Sequence, residues 1–166
     1  MSTPNREVCV LTATAITANG NGAVITMPAQ YNACILYLTA ATPTGTSPTL
    51  DVYIQQGFTA QISGDTSSLD LINPALPTIW DDYAHFAQLA YNAASQSQVM
   101  RIQAGQGTGA ANAPTAAVTV AQSGALAAST VQVGPLGMFW RVLWKVGGTS
   151  PSWSITITGQ FLNSQG

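Results

Sequence analysis

The chain carries one four-residue sequence twice, as Gly45-Thr46-Ser47-Pro48 and as Gly148-Thr149-Ser150-Pro151. Proline has a fixed φ and no N–H, so it suits the margin of a strand and not its centre. Each copy therefore reads as a turn leading into a strand. After the first, Leu50, Val52 and Ile54 alternate with Asp51, Tyr53 and Gln55. After the second, Trp153, Ile155 and Ile157 alternate with Ser154, Thr156 and Thr158. A period of two with one apolar face is the mark of a half-buried strand. Two such units predict two strands of one β-sandwich. A solenoid would need three or more repeats at a short period.

The same pattern of short strands between turn signals runs along the chain. Glu7–Ile16 reads as a strand after an unstructured arm over 1–6. Asn19-Gly20-Asn21-Gly22 reads as a hairpin turn, because Asn and Gly tolerate φ > 0, with Ala23–Met27 as its returning strand. Cys34–Thr39 is apolar on both faces and predicts a central strand. The Gly-, Ser-, Asp- and Pro-rich stretch 57–78 predicts loops, with one short strand near Leu69–Ile72. Trp80–Gln88 is ambiguous. Helical spacing of Trp80, Ala84, Ala87 and Tyr91 leans towards a helix, while as a strand neither face is cleanly apolar. Gln98–Gln103 predicts a strand. The Ala/Gly/Thr-rich stretch 104–130, with one β-like island at Ala117–Val120, predicts a long excursion with little to bury. Gly134-Pro135-Leu136-Gly137 is a turn. Phe139–Val146 is a strong strand, with Trp140, Val142, Trp144 and Val146 on one face. The reading is all-β: a single β-sandwich or jelly-roll domain over 7–166, with the N-terminal arm and the 104–130 excursion attached.

Composition narrows the function classes. Only 6% of the 166 residues are charged, against about 25% in an average soluble protein. The four basic residues, Arg6, Arg101, Arg141 and Lys145, are too few and scattered to track phosphates, which excludes a nucleic-acid binder. Ser, Thr, Asn and Gln must form the polar surface, as in β-proteins packed into assemblies; a secreted β-domain has the same look. The N-terminus is polar and predicts no signal peptide, and no apolar run is long enough for a membrane helix. Synthesis in a reducing cytoplasm follows, with Cys9 and Cys34 as free thiols.

Catalytic sets are missing. A lone histidine, His85, gives no Ser-His-Asp site. The cysteines lack zinc-ligand spacing. Asp81 and Asp82 are adjacent in a strand and so point to opposite faces, which cannot serve a glycosidase pair. Asp65 and Asp70 read as a solvated acidic loop rather than a Ca²⁺ site. Gly105-Gln106-Gly107-Thr108-Gly109 lacks the Lys-Ser/Thr ending of a phosphate loop. Trp140, Trp144 and Trp153 read as core, which leaves Trp80 as the one exposed aromatic that could stack on a sugar.

The block 45–55, together with 131–153, resembles a group of small virion proteins of tailed bacteriophages. There a "GTSPTLDV-I-Q" strand is followed by "GPLG-rylRv-w-VGGTSPSf". Leu136-Gly137-Met138-Phe139-Trp140-Arg141-Val142 fits the second pattern. Trp80-Asp81-Asp82 resembles the group's "TW-D" segment and Phe86-Ala87-Gln88 its "F-Q" segment. The specific motifs cover 45–56 and 134–158. The excursion is longer than the group's connection, and the loop after Gln56 lacks its "D-G-T" turn. The resemblance implies a strand at Trp80–Gln88, a β-sandwich or jelly roll, no enzyme activity and no cofactor or metal. It implies a decoration (cement) protein on the outer capsid surface, with the major capsid protein and its own copies, most simply a trimer, as partners. Expected contacts are Ser2, Thr3, Pro4, Asn5 and Arg6 on the arm, Gln106, Thr108 and Asn112 on the excursion, and Trp80. A tail or head–tail structural protein, or a carbohydrate-binding module on a tail or fibre, is the alternative.

Overall fold

A computed structural model describes residues 6–26, 33–58, 79–91, 96–103, 126–132, 137 and 139–162. The described residues are all-β, with no helix. The strands are β1 (Arg6–Ile16), β2 (Gly20–Asn21), β3 (Ile25–Thr26), β4 (Ala33–Ala40), β5 (Thr44–Phe58), β6 (Ile79–His85), β7 (Leu89–Ala90), β8 (Gln96–Gln103), β9 (Thr130–Val131) and β10 (Phe139–Leu162). The all-β fold expected from the alternation, a β-sandwich or jelly roll, is the fold observed, built on one nearly closed, barrel-like sheet.

The long strand β10 is its spine. On one side β1, β2 and β3 run antiparallel to it in turn, from Arg6 opposite Phe161 to Thr26 opposite Phe139. On the other side β4 and β5 do the same, from Ala33 opposite Leu162 to Gly57 opposite Phe139. Beyond these, β6, β7 and β8 run antiparallel to β5 and β4. The described chain thus falls into long ribbons in lateral order, 6–26, 139–162 and 33–58, each bent near its middle, with 79–91 and 96–103 beyond 33–58. The bend divides the hydrogen-bonded surface into two sheets. One holds β1, β4, β8 and the C-terminal half of β10; the other holds β2, β3, β5, β6, β7, β9 and its N-terminal half.

The inner faces meet in one core. Cys34, Leu36, Leu38, Trp153, Ile155, Ile157 and Phe161 come from the first sheet; Leu50, Val52, Ile54, Trp140 and Val142 come from the second. A small apolar cavity of about 10 Å³ is lined from both sides, by Leu36 and Phe161 and by Ile54, Trp140 and Val142.

The two Gly-Thr-Ser-Pro segments do not precede their strands, as expected, but lie inside β5 and β10. They pair with each other at the bend: Thr149 lies opposite Thr46, and the register shifts on both sides of that pair. Each segment shows the same backbone signature. Gly45 and Gly148 have φ of 109° and 97°, and Ser47 and Ser150 have φ of 48° and 49°. Strands pass from one sheet to the other through such irregularities. Here the corner consists of two copies of one motif, each bending the other's partner strand.

Other expectations are corrected. Arg6 belongs to β1, not to an arm. Asn19-Gly20 makes no hairpin: β1 and β3 both register on β10. Gly20 does not take up a positive φ. Its missing side chain makes room for the Trp144 ring, which a Cβ would meet at 3.0 Å. The Asn19 side chain accepts the Val146 N–H at 2.7 Å, replacing a ladder bond across the bend. β4 is central as expected, but only Cys34, Leu36, Leu38 and Ala40 are buried, while Tyr37 is exposed. Trp80–Gln88 contains strand β6, as the resemblance implies and against the helical spacing. The predicted strands at Leu69–Ile72 and Ala117–Val120, and Asp65 and Asp70, lie outside the described residues.

Cys9 sits opposite Thr158 and Cys34 opposite Phe161, on either flank of β10 and three rungs apart. At strand spacings near 4.8 Å their Cα atoms are roughly 14 Å apart, twice the reach of a disulfide. Cys34 is a free, buried thiol, and desolvation pushes its pKa up to about 12. Burial likewise pushes the Tyr83 phenol up to about 12. Both folded values exceed the unfolded ones, so their stabilising contribution is intact below about pH 9 and is lost as pH climbs towards 12. We expect an identical melting temperature with and without reductant, and a denaturant midpoint that falls between pH 8 and pH 11. A reductant-sensitive melt would show a disulfide and overturn the pairing register.

Candidate functional site

The inner face of the second sheet is mainly apolar, and its outer face gathers four of the eight described charged residues, Asp51, Asp82, Arg141 and Lys145. Side chains that alternate with Leu50, Val52 and Ile54 face outwards: Asp51, Tyr53 and Gln55. Cross-strand pairing sets Lys145 beside Asp51 and Arg141 beside Gln55. On the other flank it sets His85 beside Tyr53 and Asp82 beside Gln55, across a bulge between Ile54 and Gln55. Period-two geometry alone brings these groups together from three strands.

They form two adjoining clusters. In the first, His85 stacks on Tyr53, with ring centroids 3.8 Å apart. Leu126 O lies 2.8 Å from His85 Nδ1; a carbonyl only accepts, so Nδ1 carries a proton. Nε2 lies 3.2 Å from Asp51 Oδ1 and pairs with it when the ring is doubly protonated. Gln88 Nε2 donates to both Asp51 oxygens. The Lys145 ammonium lies 5.9 Å from the Tyr53 ring centroid. Burial, then the carboxylates of Asp51 and Asp82, push the Tyr53 phenol up. Nδ1 is bonded to Leu126 O, Nε2 faces Asp51 and the ring is buried, so neither nitrogen is open to a substrate.

In the second cluster, Gln55 Nε2 donates to Asp82 Oδ1 at 2.6 Å, while Gln55 Oε1 accepts from Arg141 Nε at 2.7 Å. Gln55 and Asp82 are wholly buried, and a buried amide and carboxylate persist only when bonded. The Arg141 guanidinium lies over the Trp80 ring, 4.1 Å from its centroid. Partial burial pulls the guanidinium below its usual pKa, and Asp82 opposes this. The cluster's rear is pinned by Gln132, whose Nε2 donates to Asp82 O at 2.6 Å.

Asp81 and Asp82 oppose Gln56 and Gln55, successive residues of β5, so they occupy opposite faces as the spacing predicts. Among the described residues no group of three or more His, Cys, Asp or Glu side chains could hold a metal ion.

Of the expected contact residues, Ser2, Thr3, Pro4, Asn5, Gln106, Thr108 and Asn112 lie outside the described residues. Arg6 starts β1 beside Phe161, on the other sheet from Trp80, so these two are not brought together. Trp80 is half-buried, with one ring face taken by Arg141. Sequence reasoning missed Gln55, Asp82, Arg141 and His85 as a set. The available signal was the outward face of the first repeat, where Asp51, Tyr53 and Gln55 are larger than a solvated strand face requires.

Comparison of the chain with protein-family models, curated proteins and solved structures yields no match.

Proposed function

We propose that this chain is a non-catalytic structural protein of a tailed-bacteriophage virion, most simply a decoration protein that cements the outer capsid surface as a homo-oligomer. One observation carries the reading. The motifs on which the phage resemblance rests are the two that pair at the bend, so the resemblance falls on the residues that shape the fold. The enclosed nitrogens of His85 and the buried, bonded carboxylate of Asp82 favour a scaffold over an enzyme. A carbohydrate-binding module is disfavoured at Trp80, because Arg141 occupies one ring face. A tail or head–tail position remains the second reading, favoured by the same motifs.

Cementing is mass action: a protein that binds only the assembled shell stabilises it by RT ln(1 + [L]/Kd), and many sites on one shell add up. With 6% charged residues, the contact should be mainly apolar and amide-mediated. We expect binding to expanded, empty capsids to persist in about 1 M salt, where exposed charges are screened beyond about 3 Å. Deleting residues 2–5, or 106–125, should leave the circular dichroism of the free protein unchanged but lower capsid occupancy after a salt wash. No capsid binding by the folded wild type would sink the cement reading; collapse in salt would sink the apolar contact.

A further inference from the structure

We propose that Arg141, held on Trp80 at the outer face of the second sheet, is a docking point for a carboxylate side chain of a partner protein. The inference deepens the assembly reading, on which it rests for the partner being a protein.

Two contacts fix the guanidinium, and one carboxylate attracts it. Its Nε donates to Gln55 Oε1 at 2.7 Å, its Cζ lies over the Trp80 ring, 4.1 Å from the centroid, and Asp82, itself tied to Gln55, attracts it. None of these uses the terminal Nη atoms. Among the described residues, no hydrogen bond to either Nη is present. An arginine held by Nε and by stacking presents its end as a rigid fork of parallel N–H donors, which matches a carboxylate in a bidentate pair. Much of the side-chain entropy such a pair costs has already been lost in the folded protein.

The surroundings choose the ligand. Asp82, bonded to the same Gln55, attracts the guanidinium and Asp51 is on the same face, so a doubly charged phosphate meets more repulsion than a singly charged carboxylate. Trp80 covers one face of the guanidinium and extends a flat apolar surface beside the fork, which suits the methylene stem of Glu or Asp. Arg101 is the internal control: it is exposed on β8 and has no stacking partner among the described residues.

The test is a titration of the free, full-length protein followed by NMR of the arginine Nε–Hε and tryptophan indole signals. Hexaglutamate is the probe; hexaglutamine and inorganic phosphate are the comparisons. Saturable shifts at Arg141 and Trp80 with hexaglutamate are expected, with hexaglutamine silent and phosphate weaker. Arg141→Lys keeps the charge and loses the fork, and should weaken hexaglutamate binding about tenfold or more. Trp80→Leu leaves the Asp82–Gln55 pair in place and should weaken it about two- to fivefold. Both variants are checked for unchanged melting. Equal shifts at Arg101, tighter binding of phosphate, or undiminished binding by Arg141→Lys would each overturn the inference. The peptide measurement involves no capsid. Intact capsid binding without a peptide response overturns this inference alone, and a peptide response without capsid binding upholds it while sinking the cement reading.

Discussion

Gly148→Ala should lower the unfolding free energy by about 2–6 kcal/mol, and Gly45→Ala should do the same. Both glycines sit at φ near 100°, where a side-chain-bearing residue costs of order 1–3 kcal/mol. Geometry adds a second cost. A Cβ at Gly148 would lie 2.6 Å from Ser47 O and 2.8 Å from Pro48 Cα; one at Gly45 would lie 2.6 Å from Ser150 O. These obstacles are backbone atoms of the opposite motif, which cannot swing aside as a side-chain tip can. Overpacking of this kind adds about 1–3 kcal/mol, for a total of about 2–6 kcal/mol against a typical stability of about 5–15 kcal/mol. Urea unfolding of each variant measures it. The double variant should cost less than the sum of the singles, because one displaced crossing relieves both clashes. A change under about 1 kcal/mol in either single variant would mean that the two motifs do not cross as described.

Trp153→Ala should destabilise the protein by about 3–5 kcal/mol, as truncation of a buried aromatic does. Trp153 is the largest of the fully buried side chains and stands just past the bend, opposite Ile16. Its indole N–H has no hydrogen-bond partner. Much of the ring's contribution is therefore packing set against one unmet donor. Trp153→Phe removes that donor with part of the volume, and should cost far less than Trp153→Ala. Thermal and urea unfolding of both variants separate volume from polarity. Wild-type stability in Trp153→Ala would remove this residue from the core.

Local alternation made the inner faces legible. Leu50, Val52, Ile54, Val142, Trp153 and Ile155 are buried as their spacing predicts, because each faces an apolar residue of the opposite sheet. Trp80–Gln88 resisted the same reasoning for a physical reason. Asp81 to Phe86 are all buried, so no polar face exists to produce an alternation, and the bulge opposite Ile54 shifts the period by one. Asn19-Gly20 misled because the glycine serves the space beneath Trp144 rather than a turn. The polar cluster was hidden because Gln55 meets Asp82 and Arg141 only through pairing between segments far apart in sequence. The Cys9–Cys34 separation likewise depended on register, which two cysteines in a sequence do not reveal.

The spine strand has a consequence for the chain's birth. Ribbons 6–26 and 33–58 both register on 139–162, the last of the described segments to leave a ribosome. Until it emerges, these two ribbons lack the neighbour that separates them and supplies most of their ladder bonds. Completion of the sheet therefore waits until residue 162 has emerged, and rests on pairings as distant as Arg6 with Phe161. Such high contact order places folding in the millisecond-to-second range, with apolar strand edges open in the interval. A cell synthesising many copies at once would meet a pool of nascent chains prone to pair with one another before each has acquired its own spine.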